Sequence, residues 1–186
     1  MIRSVHRPVV GIDASTKTGL CTDGVSELVK HGSVSKGDRV GEVDRLQRIW
    51  EWAGALPATA IVFIEGYNYN SKFHAITAGE IGATIRLRLH IRGVPFVEVS
   101  PKALKKYATG KGNAGKPDMR MAAFKRLGVD DADDNRVDAL WLYAIGMDWL
   151  GKPIVELPQV NREALDALQP VGHIDRLVTK PIDITH

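Results

Sequence analysis

Cysteine is almost missing from this chain. Cys21 is the single one among 186 residues, which excludes an intramolecular disulfide framework and any zinc site built on several cysteines. Its scarcity suits a reducing compartment. Long apolar runs are missing too. No stretch approaches the ~20 residues that a membrane span needs, and the opening MIRSVHRPVV has no signal-peptide core. The expectation is a soluble, cytoplasmic protein with no membrane partner. Neither charge sign dominates: 25 basic against 22 acidic residues give +3, a total that says little about partners. The six histidines show no ligand spacing and receive no catalytic assignment. Nor is there an internal repeat. What remains is a globular composition, 44% hydrophobic and 25% charged. A chain of this length buries well over half of its unfolded surface without staples.

The distribution of charge says more than its sum. Ser100 to Leu127 holds eight basic residues and one acid, Asp118; the next eleven, Gly128 to Asp138, hold five aspartates and one arginine. Such a layout fits a polyanion and a cation side by side, or simply a solvated helix face followed by an acidic loop. The segment Gly110 to Lys116, GKGNAGK, spells most of a phosphate-binding P-loop. However, Pro117 stands where Ser or Thr should hold Mg²⁺, and the segment follows a helix rather than a strand. Nucleotide binding there is discounted.

Strands are expected over Pro8–Asp13, from Leu20 to Asp23, and from Leu28 to Val34, as an antiparallel meander. Val40, Val43, Leu46, Ile49, Trp50 and Ala53 recur at helical spacing. Ala60 to Ile64 is a continuous apolar run, read as a strand buried on both faces and followed by Glu65. A helix from Phe73 to Ile91, a strand from Pro95 to Val99 and a helix capped by Ser100 follow. Thr109 to Gly115 reads as a flexible loop, and a helix runs from Pro117 to Gly128. Asp133 or Asp134 caps a last apolar helix. The tryptophans, all on helices, read as packing residues. Residues 1–150 form the expected domain and 151–186 a tail, with a short helix from Asn161 to Leu168. Strands first in a group and then alternating with helices predict a mixed five-stranded sheet flanked by helices, with ligands at strand carboxyl ends.

Two of those ends carry an acid, Asp13 and Glu65. Asp138 lies in the last helix, with Asp134 four residues earlier on the same face. Like charges at that spacing repel, so something must offset them, and a divalent cation would. Singly, Asp13 reads as well as a turn residue and Asp134 as a helix cap. Together the acids point to a metal site, where two ions activate water and stabilise a leaving oxygen. Lys102, Lys105, Lys106 and Lys111 are the expected phosphate contacts.

The segments GIDASTKTG (Gly11 to Gly19), IVFIEG (Ile61 to Gly66), PKALKKYATGKGNAGK (Pro101 to Lys116) and DDNRVDAL (Asp133 to Leu140), in this order, resemble the RuvC-like Holliday junction resolvases of the RNase H-like superfamily. The resemblance implies an α/β RNase H-like fold and a Mg²⁺-dependent homodimer, with Mn²⁺ as a substitute, that nicks four-way DNA junctions symmetrically. It makes Asp13, Glu65 and Asp138 metal-binding acids. The fourth is Asp134 or Asn135; Asp134 is chosen for its charge and its helix face. Lys116 matches a lysine that steadies the attacked phosphate, and Lys105 one on the DNA backbone. Tyr67 and Tyr69 fall where the family offers an aromatic to unpaired bases; loop packing is the competing reading. The helix from Phe73 to Ile91 is the implied dimer surface, and Arg86, Arg88 and Arg92 on or beside it are candidate phosphate contacts. Other readings are a different RNase H-like nuclease acting on RNA or general branched DNA, and a non-catalytic nucleic-acid scaffold.

Overall fold

Strands β1 (Val9–Asp13) and β4 (Ile61–Glu65) are apolar along nearly their whole length because helices cover both faces of the sheet they share. The computed structural model describes residues 7–67 and 75–172. β1 is flanked by β2 (Lys17–Thr22), which carries β3 (Val25–Lys30) on its far side, and by β4, which continues to β5 (Phe96–Val99). The β1–β4–β5 pairs are parallel and the β1–β2–β3 pairs antiparallel, the mixed sheet expected. Alternation along each strand sorts the side chains. Val10, Ile12, Val62 and Ile64 join a core with α1 (Arg39–Ala55) and α2 (Ala75–Ile91). Val9, Ile61 and Phe63 join one with α3 (Pro101–Thr109), α4 (Lys116–Leu127) and α5 (Asp134–Trp149).

The third strand lies three residues earlier than expected. Asp23 and Gly24, with φ of 51° and 78°, make a two-residue hairpin turn, so β3 starts at Val25. The sequence signal was the Asp-Gly pair; reading only apolar runs passes over it, because β3 alternates and faces solvent along one side. A sixth strand, β6 (Pro170–Val171), pairs with β5. Two residues are too few to show a period, so five strands were legible and the sixth was not.

Among the described residues, the chain after Gly151 returns over α3. Helix α6 (Gln159–Arg162) and a 3-10 turn (Glu163–Leu165) pack there, and Ala164 and Leu168 enter the core. Buried Asp148 accepts hydrogen bonds from Tyr107 Oη at 3.1 Å and from Arg162 at 2.8 and 3.1 Å. Asn161 Nδ2 donates to the Tyr107 carbonyl at 2.8 Å. Trp141 is fully buried, Trp149 meets Phe63 edge-on, and Trp50 lies under Arg88. Among the described residues no helix is long and apolar enough to cross a membrane.

Glycine lets α5 lie directly on the sheet. A Cβ at Gly19 would overlap the Asn135 carbonyl, and one at Gly11 would overlap the Ala139 carbonyl. Both obstacles are helix backbone, which cannot swing aside. Gly19→Ala is therefore expected to cost about 3 kcal/mol, the upper end of overpacking effects, read as a lowered denaturation midpoint. The same displacement would carry Asp134 and Asp138 away from β1.

Candidate active site

The register of β1 and β4 brings the first two acids together. Val9 pairs with Ile61 and Ile12 with Ile64 in parallel, so one further step sets Asp13 level with Glu65. Both fall on the face covered by α5, because they continue the Val9–Gly11 and Ile61–Phe63 series. Asp133 caps α5 by accepting from Asn135 N and Arg136 N, and Asp131 binds the Arg136 guanidinium through two bonds of 2.8 Å. This pins the start of α5 beside the strand ends, with Asp138 one turn inside.

A cavity of about 630 Å³ opens at this point. Asp13, Glu65, Asp134, Asn135 and Asp138 line it, with Lys105, Lys116, Tyr67 and Arg86 around them. Burial and the adjacent charges of Glu65 and Asp138 push Asp13 well above the usual carboxylate range. Burial also raises Glu65, against the hydrogen bond from Asp13 and the charges of Lys105, Arg86 and Lys116. Asp138 is pushed up to about 7 by burial, then by Glu65 and Asp134. Three neighbouring carboxylates are thus short of positive charge.

Asp134 differs. Lys116 Nζ lies 2.7 Å from its Oδ2, and Arg120 reaches its Oδ1 through Nε at 2.7 Å and a terminal nitrogen at 2.6 Å. Burial would raise Asp134, but these hydrogen bonds outweigh it and hold it below the ordinary value. The repulsion between Asp134 and Asp138, which argued for a cation from sequence, is offset here by two protein cations. Asn135 is tethered elsewhere, donating from Nδ2 to the Lys17 carbonyl at 3.0 Å. Among the described residues, no three His, Cys, Asp or Glu side chains close to metal-binding geometry.

The other expected residues separate. Lys105 lines the cavity. Lys106 instead pairs with Glu163 at 2.6 Å, and so braces the returning chain. Lys102 and Lys111 are exposed outside the cavity wall. Tyr67 lines the cavity and is stacked with the Arg86 guanidinium, 4.4 Å from its ring centre; Tyr69 lies outside the described residues. Lys116 is the first residue of α4, directly after the Thr109–Gly115 segment. The preceding turn is held by Thr109 Oγ1 and by buried Ala114, and Asp118 accepts from Gly115 N at 2.9 Å. Mobility at Lys116 thus belongs to its side chain. Arg86 is buried, paired with Glu98 and donating to the Glu65 carbonyl at 2.7 Å; Arg92 donates to the Leu56 carbonyl at 2.7 Å. Arg86 thus supports the site's wall, and Arg92 ties α2 to the end of α1.

Sequence reading passed over Arg120 as a member of the site. Its signal was present: Lys116 and Arg120 are four apart on one helix, so they share a face. What placed that face against Asp134 was the packing of α4 on α5.

A mixed sheet with acids on adjacent parallel strand ends, beneath a helix bearing a third, is the RNase H-like fold. No family model matches the chain. Over 90 residues it is 32% identical to the crossover junction endodeoxyribonuclease RuvC of Chlamydia trachomatis serovar L2, covering 47% of this chain and 52% of that one. The RuvC of C. trachomatis serovar A matches at the same identity and coverage. The chain thus spans about half the length of the curated relatives it matches. A structure of Thermus thermophilus RuvC superposes with a TM-score of 0.57 at 20% identity, covering 80% of this chain and 99% of that one. T. thermophilus RuvC in complex with a Holliday junction substrate gives 0.56 at 22%, covering 81% and 100%. About half of the chain thus resembles RuvC in sequence, and its fold matches that of RuvC structures.

Proposed function

We propose that this protein is a divalent-metal-dependent endonuclease that nicks four-way DNA junctions. The observation that carries the reading is the triad of Asp13, Glu65 and Asp138 in one cavity with Lys105 and Lys116 on its wall. Three crowded carboxylates with raised proton affinity are a poor arrangement for a protein that only binds phosphates, and this counts against a scaffold. The same set suits a hard cation, since every donor is an oxygen and the missing charge is positive. Asp13, Glu65 and Asp138 would hold Mg²⁺, or Mn²⁺ in its place, with Asp134 the fourth acid. Bound there, two such ions would activate water and stabilise the leaving oxygen. Lys105 holds the DNA backbone, and Lys116 neutralises charge on the attacked phosphate. Tyr67 and Tyr69 offer rings to unpaired bases, each stacked base being worth about 1–3 kcal/mol. Lys102 and Lys111, exposed beyond the cavity, extend the basic path. The site of action is the cytoplasm.

Two symmetric nicks require two sites, so the active form is a homodimer. The α2 helix is the surface for the second copy, and its exposed Ile76, Leu87 and Ile91 support that reading.

The test is cleavage of a synthetic four-way junction, a linear duplex and an RNA–DNA hybrid, with and without Mg²⁺. Paired nicks in the junction alone, and only with Mg²⁺, are expected. Preference for the hybrid would move the protein to another RNase H-like activity. Binding without cleavage under every condition would make it a scaffold.

A further inference from the structure

Asp134 has no oxygen free of a cation. Arg120 places two nitrogens on Oδ1 and Lys116 one on Oδ2. The two contacts differ in firmness. The Lys116 side chain is 74% exposed, so that pair is easily given up, whereas Arg120 is 41% exposed and holds through a fork. Asp138, one turn further along α5, has no such partner among the described ion pairs and faces Glu65. The fourth acid is therefore withheld from the triad by protein cations, of which Lys116 stands at the cavity wall where a nucleic-acid phosphate would lie and Arg120 holds the same carboxylate.

We infer that Arg120 is a positioning residue that latches Asp134, and that a DNA phosphate unlatches it by taking up Lys116 and Arg120. The inference rests on the metal-dependent reading above. In the free protein Asp134 stays neutralised. When a phosphate draws the two cations away, Asp134 is released to face Asp13, Glu65 and Asp138, and the full acidic set exists only with substrate in place. Charge is conserved in the exchange: two cations pass from a carboxylate to a phosphate, and the carboxylate becomes available to a divalent ion. Linkage makes the effect reciprocal, so DNA and the divalent ion each strengthen binding of the other. Premature assembly of the site without DNA is thereby limited.

The experiment is calorimetric titration of the free, full-length protein with Mg²⁺, without DNA. Arg120→Gln is expected to bind Mg²⁺ about tenfold more tightly than the wild type, because Asp134 then adds its charge to the acidic set that meets the ion. Arg120→Lys should fall between the two, since a lysine keeps the charge but loses the fork. Asp134→Asn should also stay near wild type, because Asp134 is not available in the free protein. Combining Arg120→Gln with Asp134→Asn should erase the gain. That last arm separates a latch from a general loss of positive charge, which would tighten binding with or without Asp134. An Arg120→Gln affinity equal to or weaker than wild type, or a gain that survives in the double variant, overturns the latch. If wild type binds no Mg²⁺, or Asp13→Asn binds it as well as wild type does, the metal reading itself falls.

Discussion

Asp13→Asn is expected to bind four-way junctions nearly as tightly as the wild type, to nick them about a thousandfold more slowly or worse, and to be more stable toward denaturant. The three outcomes have one cause. Asp13 is buried at the end of β1, level with Glu65 and facing Asp138, so its charge serves an incoming cation and opposes folding. Asn keeps the shape and removes the charge. A thousandfold loss corresponds to about 4 kcal/mol of transition-state stabilisation. Binding rests on lysines elsewhere and is spared. The stability gain has a pH signature. The folded-state pKa of Asp13 is raised above its unfolded value, so the folded wild type recovers stability as pH falls through that raised value. The advantage of Asp13→Asn should therefore be largest in alkaline, Mg²⁺-free buffer and shrink on acidification. Denaturant titrations across pH, beside cleavage and binding assays, check all three. A variant less stable than wild type at alkaline pH would show that the carboxylates are not crowded. Near wild-type cleavage would remove Asp13 from the site.

Lys116→Ala is expected to lower the single-turnover cleavage rate about a hundredfold at saturating enzyme while weakening junction binding only slightly. Its backbone is fixed at the start of α4, and its side chain is long, exposed and, among the described residues, paired with Asp134. It can therefore move from that carboxylate to a phosphate without the helix moving. An ammonium that meets the phosphate as charge develops stabilises the transition state more than the bound substrate. Lys105→Ala should do the reverse, weakening binding and shallowing its salt dependence by about one unit of log–log slope, with the saturated rate largely kept. Equal, small losses of affinity in both variants, with full rate restored at high enzyme concentration, would make the two lysines interchangeable parts of one basic surface.

Much of the site was legible in the chain because it depends on local pattern. Apolar runs that end in an acid mark strands whose carboxyl ends carry charge, and this located Asp13 and Glu65. Helical spacing placed Asp134 and Asp138 on one face, and Ser100, with Asp133 or Asp134, announced the helix starts; the caps are Ser100 and Asp133. Period and capping act over a few residues, so sequence alone determined them. Tertiary structure decided which of the acids meet. Parallel pairing of β1 with β4, and two glycines that admit α5 to the sheet, bring Asp13, Glu65 and Asp138 together. Asp134 shares the helix of Asp138 but is held by Lys116 and Arg120, because α4 packs with these cations against that carboxylate. Lys106 was likewise diverted, to Glu163, by a return of the chain that no local pattern foretold. Long-range electrostatic partners depend on distances set by packing between elements far apart in sequence, and that is the part of this protein its sequence did not disclose.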